Sequence, residues 1–155
     1  MPSSKRIYGE GDYLRPSFVE FYRCRNVLIE GVTVVRSPMW LLHPTLCTNV
    51  TVRGVTCRSH GPNNDGCDPE SCTDVLIEDC LFDTGDDCIA LKSGRNADGR
   101  RLAAPIQNVV VRNCTMRDVT AGQVADAVVR INYLRGGHKS CAHIARISHL
   151  GLSRP

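Results

Sequence analysis

Four stretches of the chain repeat one order of polar and β-prone positions. Asn26-Val-Leu-Ile-Glu-Gly-Val-Thr-Val opens the series. Asn49-Val-Thr-Val-Arg-Gly-Val-Thr-Cys, Asp74-Val-Leu-Ile-Glu-Asp-Cys-Leu-Phe and Asn108-Val-Val-Val-Arg-Asn-Cys-Thr-Met follow, and a weaker fifth copy starts at His143. Each copy reads Asn or Asp, three β-prone residues, a charged residue, then Gly, Asn or Asp, then β-prone residues again. Val, Ile and Thr favour pleated strands. The charged residue followed by Gly or Asn predicts a corner between two short strands. No stretch keeps apolar residues at i, i+3, i+4 and i+7, so almost no helix is expected.

The copies start at 26, 49, 74, 108 and 143, which puts them 23, 25, 34 and 35 residues apart. One such repeat cannot close a core alone, whereas stacked repeats can. The spacing of Leu and Asn does not fit a leucine-rich repeat. The pattern predicts an all-β chain, a right-handed single-stranded parallel β-helix of about five coils. Residues 1–17, with Gly9, Gly11 and Pro16, are expected to be an irregular lead-in, and residues 18–155 the β-helix. The recurring Asn26, Asn49, Asp74 and Asn108 are expected to form an inward ladder at a turn, each bonding the next coil. The polar segment from Ser93 to Pro105 lengthens one copy and reads as a loop leaving the coil.

Composition narrows the function. The 155 residues carry a net charge of +3, only 5% are aromatic, and the Lys and Arg are scattered. Neither a phosphate-tracking face nor a stacking platform follows, so no nucleic-acid partner is expected. No run is long and apolar enough to span a membrane. The N-terminus shows no apolar leader core. Taken by itself the chain is therefore expected to be made as a soluble cytoplasmic protein, and to act as a monomer. Nine cysteines, at 24, 47, 57, 67, 72, 80, 88, 114 and 141, include no Cys-x-x-Cys pair. The odd count excludes complete pairing within the chain, and most are read as small buried hydrophobes.

Two acidic, Gly-punctuated clusters flank the third copy. The first holds Asp65 and Asp68, the second Asp83, Asp86 and Asp87. Locally they read equally as solvated turns, as a calcium loop, or as a pair of carboxylates for acid–base chemistry. The repeat discriminates. Asp65 and Asp86 are 21 residues apart, close to one coil. Positions one coil apart lie about 4.8 Å above each other. Asp65, Asp86 and Asp87 should therefore converge, and like charges at close range drive their pKa values apart.

Asn63-Asn64-Asp65-Gly66 and Gly85-Asp86-Asp87-Cys88 resemble two signatures of the polygalacturonase family of glycoside hydrolases, family 28, whose members are pectin-cleaving β-helix enzymes. Ser37-Pro38-Met39-Trp40, His43-Pro44 and Lys92-Ser93-Gly94-Arg95 resemble the same family, particularly its bacterial members, and the similarity runs from Leu14 to about Asp118. The resemblance implies hydrolysis of α-1,4-galacturonosidic bonds with inversion. Asp86 would be the general acid, and Asp65 and Asp87 would hold and activate the water. It implies no cofactor and no catalytic metal, an acidic polysaccharide as partner, and a secreted or periplasmic parent enzyme. Substrate contacts would come from Asn64, where the family usually has Thr, and from Lys92, Arg130 and Asn132. Asp68 is read as a structural or rim residue.

Two departures stand out. The family carries Gly-His-Gly one coil after the aspartate pair, where this chain reads Val119-Thr-Ala-Gly-Gln. The family's Arg-Ile-Lys corresponds to Arg130-Ile131-Asn132, so the second cation is missing. Only about a dozen residues separate Asp118 from Arg130, less than the family's spacing. Asp118-Val-Thr-Ala-Gly can be written in codons that one restored G turns into Asp-Gly-His-Gly-Gly. Residues 118–129 are thus expected to be shortened or frame-altered. The alternative to an active hydrolase is a catalytically impaired, carbohydrate-binding or structural β-helix fragment.

Overall fold

The computed structural model describes residues 15–117 and, as backbone, the strands at 129–132, 146–148 and 151–152. The chain winds as a parallel β-helix. The first face is a five-stranded sheet ordered β13 (Arg146–Ser148), β10 (Gln107–Arg112), β7 (Thr73–Glu78), β5 (Thr48–Arg53) and β2 (Arg25–Glu30). The second is ordered β14 (Gly151–Leu152), β11 (Thr115–Arg117), β8 (Leu81–Thr84), β6 (Thr56–Ser59) and β3 (Thr33–Val35). On the third, β1 (Val19–Tyr22) pairs with β4 (Leu42–Thr45), and β9 (Ile89–Lys92) with β12 (Val129–Asn132). Isolated bridges join those two pairs, running Leu42–Cys67–Ile89 and Thr45–Glu70–Lys92.

The core is a set of ladders, one rung per coil. Val27, Val50, Val75 and Val109 stack in register, as do Ile29, Val52, Ile77 and Val111. Val34, Cys57, Phe82 and Met116 stack on the second face. All twelve are buried. Burial of each such aliphatic side chain is worth about 1.5–3 kcal/mol relative to exposure. Four of the buried thiols, Cys47, Cys72, Cys80 and Cys114, occupy coil corners where an inward S–H can meet a main-chain carbonyl. Cys47 Sγ lies 3.3 Å from the carbonyls of Phe21 and Thr45, and Cys72 Sγ 3.2 Å from that of Pro44. The main-chain N–H groups of Cys24 and Cys47 in turn point at the sulfurs of Cys47 and Cys72, both at 3.4 Å. All eight described cysteines are free thiols.

The repeat's polar punctuation has a conformational cause. Asn26, Asn49, Asp74 and Asn108 have φ of 57°, 57°, 61° and 52°, and Gly31, Gly54, Asp79 and Asn113 have 65°, 59°, 56° and 53°. Gly, Asn and Asp tolerate this left-handed region best. The first column does bond between coils: Asn49 Nδ2 donates to Asn26 Oδ1 at 2.8 Å, and Asn108 Nδ2 to Asp74 Oδ1 at 2.9 Å. Its side chains are exposed, however, so the expected inward ladder is an outward one. The left-handed corner turns the side chain to solvent while the strand's next residue enters the core.

A second difference concerns the loop after β9. It contains α1 (Asn96–Leu102), the one helix among the described residues. Asp98 in its first turn and Arg100 and Arg101 in its last complement the helix dipole. Arg101 Nη2 also meets Asp98 Oδ1 at 2.6 Å. No described helix is long and apolar enough to cross a membrane.

Candidate active site

Two close approaches bring the acidic clusters together. A Cβ on Gly66 would stand 2.5 Å from Phe82 Cδ1 and 2.6 Å from the Cys88 carbonyl oxygen. One on Gly85 would stand 2.8 Å from His60 Cα. Glycine after Asp65 and before Asp86 therefore lets neighbouring coils pass at contact distance. Gly66 N–H donates to the Asp87 carbonyl at 2.9 Å, and Leu41 N–H to the Asp65 carbonyl at 2.8 Å. Trp40, Asp65 and the Asp86–Asp87 pair thus occupy one edge on successive coils.

One carboxylate oxygen from each of Asp65, Asp86 and Asp87 lies within 4.8 Å of the others. Asp65 and Asp87 are buried and Asp86 is half-buried, which makes Asp86 the most accessible of the three. Asp86 Oδ1 accepts from the Asp87 N–H at 3.0 Å, and Thr84 Oγ1 donates to the Asp86 carbonyl at 3.1 Å. Burial pushes the Asp65 carboxyl above its ordinary range; Lys92 opposes the shift and Asp86 adds to it. Three oxygens this close could also face a cation, although the Lys92 ammonium already stands 3.4 Å from Asp65 Oδ2.

Behind the cluster lies an arrangement that the sequence did not disclose. Lys92 Nζ bonds Asp68 Oδ2 as well as Asp65, and sits 3.5 Å from the centroid of the Trp40 ring. Asp68 is fully buried, so it is not a rim residue, and its Oδ1 has no partner. Burial drives its carboxyl well above the ordinary range, against the pull of Lys92. The signal for Trp40 was available in the repeat: Asp65 follows it by 25 residues, the same interval as from Asn49 to Asp74.

Asn64 is also committed internally. Its Oδ1 accepts from Ser59 Oγ at 2.5 Å and from the Gly61 N–H at 2.8 Å. Its Nδ2 donates to the carbonyls of Ser37 and Met39 at 3.2 and 3.0 Å. Arg15 ties the same loop down, with Nη1 on the carbonyls of Pro38 and Pro62 and Nη2 on Asn63 Oδ1. Beside Trp40, His43 is buried with a ring nitrogen 3.3 Å from Glu70 Oε2, next to a cavity of about 370 Å³ that Arg15, Ser17, Glu20 and Trp40 help to line. Asp83 stands apart from the cluster, 3.3 Å from His60 and 3.4 Å from Arg58.

Arg130 and Asn132 lie on β12, in register with Ala90 and Lys92 of β9. Asn132 is thus the next-coil neighbour of Lys92. Their side chains, the segment that replaces Gly-His-Gly and the shortening expected at 118–129 lie outside the described residues, except for the backbone of Val129.

Comparison with known proteins gives a consistent picture. The sequence pattern of glycosyl hydrolases family 28 matches residues 7–117. A probable polygalacturonase of Vitis vinifera is 37% identical over 109 residues, 69% of this chain and 22% of its own length. A probable polygalacturonase of Arabidopsis thaliana is 32% identical over 144 residues, 79% of this chain and 30% of its own length. Among solved structures, a hyperthermoactive exopolygalacturonase from Thermotoga maritima is 58% identical with a TM-score of 0.68, over 72% of this chain and 25% of that one. A family 28 exopolygalacturonase from Yersinia enterocolitica is 26% identical with a TM-score of 0.56, over 60% of this chain and 16% of that one. The chain spans less than a third of the length of each of these proteins.

Proposed function

The chain belongs to family 28 of the glycosyl hydrolases, and on that premise we propose that it carries the acid–base centre of an enzyme that hydrolyses α-1,4-galacturonosidic bonds in polygalacturonate. The observation that carries this reading is the convergence of Asp65, Asp86 and Asp87 within 4.8 Å from two adjacent coils.

Asp86 is the general acid. It is the most accessible of the three, so it can reach the glycosidic oxygen and protonate it as the bond to the anomeric carbon breaks. Asp65 and Asp87, both buried, hold a water between them. As its oxygen bonds the anomeric carbon, the water's proton passes to one of these two carboxylates. One water is consumed and one bond is cleaved; proton exchange with solvent then restores Asp86. Attack on the face opposite the leaving group inverts the configuration. The oxygens converge more tightly than the roughly 6.5–9.5 Å typical of inverting pairs. The assignment of inversion therefore leans on the family and on two carboxylates being available to one water. The two solved relatives described above are named exopolygalacturonases, which favours release of units from a chain end.

Release of reducing ends from polygalacturonate, with Asp86→Asn as the blank, tests the reading. Turnover by the chain and none by the variant supports it. A single small product from the earliest times supports end-wise action, and a ladder of sizes argues for internal cleavage. A second reading has its own observation: Asn132 stands beside Lys92 where the family's Arg-Ile-Lys places a cation. In that reading the chain binds oligogalacturonides without releasing product, and calorimetry shows binding where the reducing-end assay shows nothing.

A further inference from the structure

We propose that Lys92 is a positioning residue for Asp65: clamped by Asp68 and covered by Trp40, its ammonium fixes the orientation and charge of that carboxylate instead of reaching out to an acidic sugar. The inference rests on the acid–base reading above and assigns parts to three side chains that the reaction itself does not use.

Lys92 is poorly placed to meet a ligand. Its side chain is only 15% exposed. Nζ bonds Asp68 Oδ2, lies 3.4 Å from Asp65 Oδ2 and faces the Trp40 ring. An ammonium between two carboxylates and an aromatic face has exchanged its water for protein partners. Its backbone is fixed as well. The Lys92 N–H donates to the Pro69 carbonyl at 3.0 Å, and the Ser71 N–H to the Lys92 carbonyl at 2.8 Å.

Asp68 supplies the second observation. A fully buried carboxyl with one unpartnered oxygen is costly and calls for an explanation. Its described partners are Lys92 and Asp65, so its place in the fold is at the centre of this group. The charged groups facing Asp65 are Asp68 on its own coil, Lys92 on β9, and Asp86 and Asp87 on the next turn, with Glu70 and His43 beyond Trp40. Among these, Lys92 is the cation that lies against Asp65. Without it, burial and the Asp86 charge would act on Asp65 with only the Asp68 hydrogen bond against them, and a protonated Asp65 cannot take a proton from water. The acid limb of the pH profile should then move to higher pH.

The test uses the full chain labelled with ¹³C at aspartate carboxyls. Asp65 is assigned by Asp65→Asn, and Lys92→Met, Lys92→Arg and Asp68→Asn are compared by NMR titration. The expected result is an upward move of the Asp65 midpoint in Lys92→Met, with Lys92→Arg near wild type. An unmoved midpoint in a folded Lys92→Met would overturn the proposal. Should that variant not fold, Asp68→Asn decides: it releases the clamp and should also shift the Asp65 titration, and no shift again counts against the proposal. This readout needs no turnover, so it stands apart from the hydrolysis assay. Where hydrolysis is measured, kcat should fall by up to about 100-fold with little change in KM, and with the acid limb displaced upward. A rise in KM at constant kcat would instead make Lys92 a sugar contact and end the positioning assignment.

Discussion

Asn64 Nδ2 donates to the Met39 carbonyl at 3.0 Å, across 25 residues of sequence and one turn of the coil. With three further bonds from the same amide, it anchors the loop that presents Asp65 to the segment before β4 that presents Trp40. Asn64→Ala leaves the Gly61 N–H, Ser59 Oγ and two carbonyls without this partner. Each buried unsatisfied group costs about 1–3 kcal/mol. A loss of about 3 kcal/mol or more is expected in urea unfolding followed by circular dichroism. Asn64→Thr, the residue usual in the family, replaces only part of the set and should fall between.

The proposed division of labour fixes the stereochemistry of the product. ¹H NMR of the earliest product from an α-linked oligogalacturonide should show the β-anomer before mutarotation. An initial α-anomer would mean that a carboxylate attacks the sugar and that the water-holding roles of Asp65 and Asp87 are wrong.

On the first face, Glu30, Arg53, Glu78 and Arg112 alternate in sign up four coils. Arg53 reaches Glu30 at 3.1 Å and Glu78 at 2.7 Å, and Arg112 Nε reaches Glu78 at 2.7 Å. Hydrogen bonds from Arg53 and then Arg112 hold the Glu78 carboxyl below its ordinary value of 4.5. A depressed folded value means that the stabilisation is present above that ordinary value and is lost as pH falls below it. Glu78→Gln should therefore flatten the acid side of the stability profile, as read by denaturant midpoints between neutral pH and pH 3. Asp68 runs the other way. Its raised folded value lowers stability as pH climbs above the ordinary 3.8, so Asp68→Asn should remove a slope of opposite sign.

Three of the buried thiols, Cys57, Cys67 and Cys72, should be chemically silent in the native chain. Burial pushes both Cys57 and Cys72 to about 12, and Cys67 well above its ordinary value. At pH 8 almost none of any of them is thiolate, the reactive form. Iodoacetamide labelling with peptide mapping should leave all three unmodified until denaturant is added. Prompt labelling of Cys67 in buffer would show that the coil opens.

The winding and the site's carboxylates were readable from sequence for one physical reason. Strand-forming runs bounded by residues that accept positive φ fix the coil length, and the coil length fixes which residues stack. That reasoning placed Asp65 beside Asp86 and Asp87. It did not settle which way a corner residue points, because the two-residue alternation of a strand stops at a left-handed turn. Asn26 and its successors were therefore expected inward and are outward. The same gap hid the burial of Asp68, three residues after Asp65 and past a bend. Lys92 at the end of β9 was expected to contact an acidic sugar, and nothing in its position along the chain disclosed the bond to Asp68. The helix at 96–102 was missed because seven residues, one of them Gly99, are too few for a 3.6-residue period to declare itself.

That helix lengthens one coil to 34 residues without disturbing the floors above and below it: Val75 still meets Val109, and Leu81 still meets Thr115. The junction between β9 and β10 therefore works as a balcony, where chain can be added while the column of stacked side chains bears none of the change. It opens at Ser93, next to Lys92, whose ammonium meets Asp65 and Asp68. An architecture of this kind separates the part that must stay constant from the part that can vary.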